Sequence, residues 1–419
     1  MTSGLVCLNL LLLLAALPVV CVALYLLLLA LAACMHPGRR RIDGLFPGIR
    51  MARTRFLVLI PAHNEELLLG GVLEQLKGHT YDAARVQVVV VADNCTDQTA
   101  AVARAQGVVV LERTDLQNRG KGQALNWAMR TCLPSWPDPF DAVVILDADS
   151  TVNPDFFWFL NEQLAAGHEA LQAYYGVQNP QEHWRTSLLT ASLAAFHFLR
   201  PLGRDQLGLP CGLKGNGMCF ARRLALEYGY PAFSVVEDVE LALFLLRQGI
   251  RVKFVPGAHV LGQMAVSAQA AGTQRARWEG GRLALIRTQA WPLLKEGIHG
   301  RDAAKVDGAL DLLIPPFALL VACTALPAVG LMALWAAGHH VIWGGVVVLW
   351  CGAWLLEAVY VLAALQLIQA PAVIYWRLLA APLFILWKLG VYSRMALAAK
   401  RGKSGEWVRT GRQAMSGKK

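Results

Sequence analysis

Two aspartates one residue apart, Asp147-Ala148-Asp149, follow an unbroken apolar run. Paired carboxylates at the end of a buried strand can hold a divalent ion. Mg²⁺ or Mn²⁺ takes oxygen ligands and keeps substrate phosphates in its shell. The plainer reading is an aspartate capping the helix that starts near Asn153-Pro154. A second acidic pair, Glu237-Asp238, opens a helical pattern running to Gln248. Carboxylates favour helix N-termini, so capping accounts for this pair too. The chemical reading is a general base that takes the proton of a sugar hydroxyl, a poor nucleophile on its own. In Gln274-Arg275-Ala276-Arg277-Trp278, Gln274, Arg277 and Trp278 share one helical face. An arginine can neutralise a leaving diphosphate and an indole can carry a sugar ring. A Trp/Arg belt beside a membrane is the alternative.

These residues need elements to position them. Arg55–Pro61, Val86–Asp93 and Ala142–Asp147 are short, continuous, β-branched-rich runs, the pattern of strands covered on both faces. Helical sequence alternates with them, which predicts a doubly wound, mostly parallel α/β sheet. Ligands bind beyond the carboxyl ends of such strands. The polar clusters fall there: His63-Asn64-Glu65-Glu66, Asp93-Asn94-Cys95-Thr96-Asp97 and Asp147-Ala148-Asp149. Three strand ends carrying polar groups predict one shared site.

The 419 residues are 56% hydrophobic and 16% charged, against roughly 25% charged in a soluble domain. The apolar excess lies at the two ends. Residues 4–34 carry no charge, longer than the roughly 20 residues that cross a bilayer and too long for a signal-peptide core. Arg39, Arg40, Arg41, Arg50, Arg53 and Arg55 follow it, so the positive-inside rule places the N-terminus outside and residues 53–306 in the cytosol. Residues 312–338 and 341–368 form an apolar hairpin around His339 and His340. Arg377, Lys388 and Arg394 interrupt 371–399, and a basic tail follows; this predicts an interfacial helix and three spans. The expected division is 1–38, an N-terminal span; 39–306, the catalytic domain; 307–369, the hairpin; and 370–419, interfacial helix and tail. The net charge of +10 gathers in the flanks and suits topology and anionic lipid. Without a basic, aromatic-studded soluble face, no nucleic-acid partner is expected. The nine cysteines form no CxxC pair, against a zinc site. Glu357, inside an apolar run, is costly in a bilayer; such a carboxylate lines a route for the acceptor or growing chain, is protonated, or pairs with a basic residue of another segment, and the sequence leaves these open.

The ordered set resembles the membrane-integrated branch of glycosyltransferase family 2, which includes cellulose, hyaluronan, chitin-oligosaccharide and poly-N-acetylglucosamine synthases. That branch carries D, DxD, ED and QxxRW in series, and here stand Asp93, Asp147-Ala148-Asp149, Glu237-Asp238 and Gln274–Trp278. Pro61-Ala62-His63-Asn64-Glu65-Glu66 is similar to the family's first nucleotide-binding turn. Arg119-Gly120-Lys121-Gly122-Gln123-Ala124-Leu125-Asn126 is similar to its lysine-glycine segment. The resemblance implies a GT-A-type domain. It implies that Pro61, His63, Glu65, Asp93, Lys121 and Asp147 bind nucleotide, with Asp93 on the base, and that Asp149 binds Mg²⁺ or Mn²⁺. Asp238 would be the general base beside Glu237. Gln274 and Arg277 would hold diphosphate, and Trp278 the acceptor. Gly215, Asn216 and Gly217 sit where the family has its acceptor loop. Trp407-Val408-Arg409-Thr410-Gly411-Arg412 is similar to a gating loop, which would bring Thr410 and Arg412 to the nucleotide. Two departures are Val236, where many synthases have threonine, and the sequence Lys214-Gly215-Asn216-Gly217-Met218 itself.

The implied activity is inverting transfer from a UDP-sugar at the cytoplasmic face. The leading reading is a processive synthase extending a polysaccharide, as the Gln274–Trp278 pattern and the gating-like tail favour; the alternative is a lipid acceptor, used without processivity. Three spans are few for a private channel, which favours a lipid acceptor or an assembly with itself or secretion partners. A catalytically vestigial scaffold or transporter subunit is the reading from another class, and the intact acidic motifs argue against it.

Overall fold

Phe56–Ala62 (β1) is buried along almost its whole length between two parallel neighbours, Val86–Asp93 (β2) and Ala142–Ile145 (β4). Val109–Arg113 (β3) pairs in parallel outside β2. This is the half of the sheet that the apolar runs predict. The other half comprises Ser150–Val152 (β5), Ala170–Val177 (β6), Met218–Ala221 (β7) and Val252–Gly262 (β8). The order is β3-β2-β1-β4-β7-β6-β8-β5. Only β6–β8 is parallel among the added pairs; β4–β7, β6–β7 and β5–β8 are antiparallel. The sheet is therefore mixed, with a doubly wound parallel half, and the domain is GT-A-type. Phe56, Val58, Ile60, Val90, Val144, Phe156 and Phe157 lie in one buried cluster, and a covered sheet needs such faces.

The structure, a computed structural model, describes residues 3–35, 51–264, 268–338 and 341–400. The sheet belongs to a unit whose described residues are 51–179, 208–264 and 268–309. The described residues of a second unit are 3–35, 180–207, 310–338 and 341–400. The segment expected as one continuous domain over 39–306 is thus interrupted, because Pro180–Leu207 groups with the apolar helices. Its physical reason is composition: Thr186 to Leu199 contains no Asp, Glu, Lys or Arg. The helix Trp184–Leu193 continues through a π-type turn, Ala194–Leu199, into Arg200–Gln206. Pro201 follows that π-type turn directly; it cannot donate the i→i−4 bond, and the irregular turn lies where the ladder is interrupted.

Four helices of the described residues are long and apolar enough to cross a membrane: Ser3–Cys34, Phe317–Ala336, Gly344–Leu367 and the stretch Ala372–Ser393. The last is the segment expected to lie along the surface. It breaks into Ala372–Arg377, a 3₁₀ turn at Leu378–Ala380, and Ala381–Lys400. Within this unit Asn9 is buried; its Nδ2 donates to the Val341 carbonyl (2.9 Å) and its Oδ1 accepts from the Trp343 N–H (2.8 Å). Tyr360 donates to the Ala195 carbonyl at 3.0 Å. Thr324 Oγ1 lies 2.6 Å from Glu357 Oε2, so Glu357 faces the bundle interior.

Candidate active site

The parallel register brings the three strand ends level: Ala62 pairs with Ala92, and Leu59 with Ile145. Antiparallel β7 then adds a fourth segment. Ile145 pairs with Met218, so the loop Gly212–Gly217 arrives beside the Asp147-Ala148-Asp149 turn.

At the first strand end Pro61 is part of β1, in register with Val91. His63 Nδ1 donates to the Asp93 carbonyl at 2.8 Å. Asn64 takes a positive φ of 56° and its Oδ1 accepts from the Thr96 N–H at 2.7 Å. The Glu65 N–H donates to Thr99 Oγ1 at 2.8 Å. These bonds lock the first turn onto the second. Asp93 is buried, and Arg113 Nη1 donates to its Oδ1 at 2.6 Å. Arg113 also reaches Asp115 Oδ2 and the Asn118 carbonyl, both at 2.8 Å. Arg113 was not legible as a site residue. The signal was positional: it is the register partner of Asp93 in the β2–β3 pair.

Lys121 is the hub of the opposite side. It starts the helix Lys121–Trp127 after Gly120, whose φ of 118° few other residues adopt. Its Nζ donates to Asp147 Oδ1 (2.5 Å) and to the Gly215 carbonyl (2.5 Å), and lies 3.9 Å from Glu237 Oε1. Four segments far apart in the chain therefore meet on one ammonium. Burial alone would lower the Lys121 pKa, but Asp147, then Glu237 and Asp238, hold it above its usual value.

Glu237 and Asp238 form the first turn of the helix Glu237–Arg247. Glu240 Oε2 accepts from the Phe233 and Ser234 N–H groups (3.0 and 2.8 Å) and closes the preceding loop. Burial pushes the Glu237 carboxyl up to about 7, with Lys121 opposing and Asp238 adding to it. Burial raises Asp238 as well, against its backbone hydrogen bonds and the Lys214 and Lys121 charges. Gly215, at φ 79°, has no Cβ to stand between the loop and Asp238; a Cβ there would lie 3.5 Å from Asp238 Oδ2. Gly217, at φ 68°, would clash with Val260 if it carried one. Asn216 differs from expectation. Its side chain is wholly buried and its amide is engaged by the Asp147–Ser150 turn, not open to an acceptor.

Arg277 and Trp278 lie on the helix Ala268–Leu285, with Arg275 stacked 5.3 Å over the Trp278 ring. A Cβ at Gly281 would meet Val236 at 3.0 Å, so this helix packs on the segment leading into Glu237. Arg277 and Trp278, four and three residues earlier, fall on that same face. The Gln274 side chain, Thr410 and Arg412 lie outside the described residues.

The residues present fit Mg²⁺ or Mn²⁺ of one kind. Among the described residues no cluster of three or more His, Cys, Asp or Glu could cage an ion. Asp149, buried at the strand end, offers a carboxylate, while Asp147 is engaged by Lys121. Hard cations held by one or two carboxylates and completed by substrate phosphates need no more. Zinc would need a fuller set.

Residues 53–281 match the family described as Glycosyltransferase like family 2. The chain belongs to that family. It is 24% identical over 236 residues to the probable glycosyltransferase YdaM of Bacillus subtilis, covering 54% of each chain. It is 28% identical over 233 residues to the beta-monoglucosyldiacylglycerol synthase of Synechocystis, 54% of this chain and 47% of that one. It is 24% identical over 242 residues to the poly-beta-1,6-N-acetyl-D-glucosamine synthase of Staphylococcus aureus, 55% of each. The chain thus spans about half the length of the curated relatives it matches. Among solved structures, the mannosyltransferase PcManGT of Pyrobaculum calidifontis, in complex with GDP-Man and Mn²⁺, aligns at TM-score 0.44 and 20% identity, covering 83% of this chain and 97% of that one.

Proposed function

We propose that the protein is a membrane-integrated glycosyltransferase that moves a sugar from a UDP-sugar to a membrane-borne acceptor at the cytoplasmic face, with inversion. The observation that carries this is the meeting of Asp147, Gly215 and Glu237 on Lys121, with Asp238 against Gly215. It sets a nucleotide-side carboxylate, a glycine loop and an acidic pair around one space.

In this reading Asp93, held by Arg113, meets the nucleobase, and the turn at Pro61, His63 and Glu65 walls that pocket. Asp238, with Glu237 beside it, takes the proton of the acceptor hydroxyl as its oxygen attacks the anomeric carbon. The bond from that carbon to the diphosphate oxygen breaks, and UDP leaves with the electron pair. Lys121, Arg277, Gln274 and the tail residues Thr410 and Arg412 hold the diphosphate. Gly215 and Gly217 let backbone approach the acceptor sugar, and Trp278 gives it a platform. Mg²⁺ or Mn²⁺ on Asp149 would supply Lewis-acid neutralisation of the leaving diphosphate.

Two acceptors divide the proposal. The four described helices long and apolar enough to cross a membrane are few for a private translocation channel, which favours a lipid acceptor, used without processivity. The Gln274–Trp278 pattern favours a processive polysaccharide synthase, working as a homo-oligomer or with secretion partners. The test is the purified chain in lipid with Mg²⁺ or Mn²⁺ and a panel of UDP-sugars, following UDP release and sizing the product. A short, lipid-extractable product supports the first acceptor and a long polymer the second. No release with any donor, lipid acceptors supplied, rejects the reading in favour of a vestigial scaffold.

A further inference from the structure

Three buried polar side chains outside the proposed reacting groups form one hydrogen-bonded line. Asn216 and Gln172 are 0% exposed and Ser150 is 1% exposed. The backbone N–H of Asp147 donates to Asn216 Oδ1 at 3.2 Å. A backbone N–H can only donate, so the amide oxygen must face it and the amide nitrogen must face the other way. Asn216 Nδ2 donates to Ser150 Oγ at 2.7 Å. Ser150 Oγ lies 3.3 Å from Asp149 Oδ1, a carboxylate oxygen that accepts, so the hydroxyl donates to it. The polarity of the whole line is therefore set, and it ends on the carboxylate proposed to hold the ion. Its other end is anchored in the sheet. Gln172 Nε2, on β6, donates to the Asn216 carbonyl at 2.8 Å, and Gln172 Oε1 accepts from the Lys214 N–H at 2.9 Å.

Uncompensated polar atoms in such a place would be costly, yet the line gives the core no apolar contact. A partner hydrogen-bonded to a metal-holding carboxylate fixes its orientation and tunes its affinity. Resting on the reading above, we infer that Asn216 and Ser150 are positioning residues for Asp149, and that they tie divalent-ion affinity to the conformation of the loop Gly212–Gly217. The acceptor side and the ion side of the site are then mechanically one piece, through Asn216 itself.

The experiment uses the full chain in lipid nanodiscs, with UDP binding measured by calorimetry across a Mn²⁺ titration and again in chelator. Ser150→Ala removes the hydroxyl that joins Asn216 to Asp149 and leaves only a small void. The expected result is a rise of about tenfold in the Mn²⁺ concentration giving half-maximal UDP affinity, with UDP binding in chelator equal to wild type. Asn216→Ala should shift the same midpoint in the same direction; if it does not fold, Ser150→Ala still decides. An unchanged Mn²⁺ midpoint overturns the inference. So does a loss of UDP affinity that is equal with and without Mn²⁺, because that marks a merely structural role. A wild-type chain whose UDP binding ignores Mn²⁺ rejects the ion reading itself, and the inference with it.

Discussion

Glu237 and Asp238 must be ionised to accept a proton, and burial works against that. Glu237 is held at about 7, well above an ordinary carboxyl. A folded-state value raised above the unfolded one contributes stability that is fully present below the unfolded value, near 4.5, and is lost as pH rises through about 7. Activity runs the other way. kcat/KM should fall on acidification at a pH above that of an ordinary carboxyl, because burial raises Asp238, while the thermal midpoint rises as pH falls through about 7, and Glu237→Gln should flatten the thermal trend. Lys121 pulls both carboxyls down, so Lys121→Met should move the acid limb of kcat/KM to higher pH. An unmoved limb in a folded Lys121→Met protein would remove Lys121 from this role. Asp238→Asn should cut turnover by about 10²- to 10⁴-fold with UDP affinity kept. Near-full turnover in Asp238→Asn would assign the base elsewhere. The acidic residues were legible because each follows an apolar run or opens a helical one. Arg113, Gln172 and Ser150 were not, because their meaning lies in partners across strands that periodicity does not pair.

At the scale of elements, two glycines mark where backbones must touch. A Cβ on Gly122 would lie 2.0 Å from the Ala232 carbonyl oxygen. That contact seats the helix bearing Lys121 against the loop before Glu237. Gly122→Ala should therefore lower turnover, with a cost of about 1–3 kcal/mol in stability. In the other unit, a Cβ on Gly203 would lie 2.3 Å from the Leu29 carbonyl oxygen. Small residues allow such helix–helix approach in membranes. Gly203→Ala should lower the unfolding temperature in detergent and leave the nucleotide site intact, so equal melting of the two proteins would dismiss the contact. The strands β1, β2 and β4 were legible because both faces of each are covered and their apolar runs are continuous. β6 and β8 lack that signal, since their runs carry Gln172, Tyr174, Tyr175 and His259. The helix through Thr186–Leu199 is illegible in the sequence for a related reason. A run of that length is too short to announce a span, and it reads equally as a buried core helix.

At the scale of the molecule, the fourth apolar helix decides where the basic tail lies. If Ala372–Ser393 crosses, the tail ends on the side away from the catalytic domain, against its Lys400, Arg401, Lys403, Arg409 and Arg412. Side-chain placement argues for the surface. The large exposed apolar residues of this stretch are Trp376, Leu379, Leu383 and Leu386. From the first to the last they cover about 15 Å of helix, half of the roughly 30 Å a hydrocarbon core presents. Arg377, next to the start of that stripe, donates to the Gln181 carbonyl (3.0 Å) and Ser187 Oγ (2.9 Å). Lys388, just past its end, is buried. A helix whose two cations are held within the protein presents about half a bilayer of apolar face, which suits lying in the interface. The tail should then share a side with the catalytic domain. A cysteine introduced at Ser416, in a chain whose native cysteines are replaced, should react with a membrane-impermeant maleimide only after cells are opened. A tag on the N-terminus should react in intact cells. Labelling of Ser416→Cys in intact cells would make Ala372–Ser393 a fourth span and put the basic tail outside.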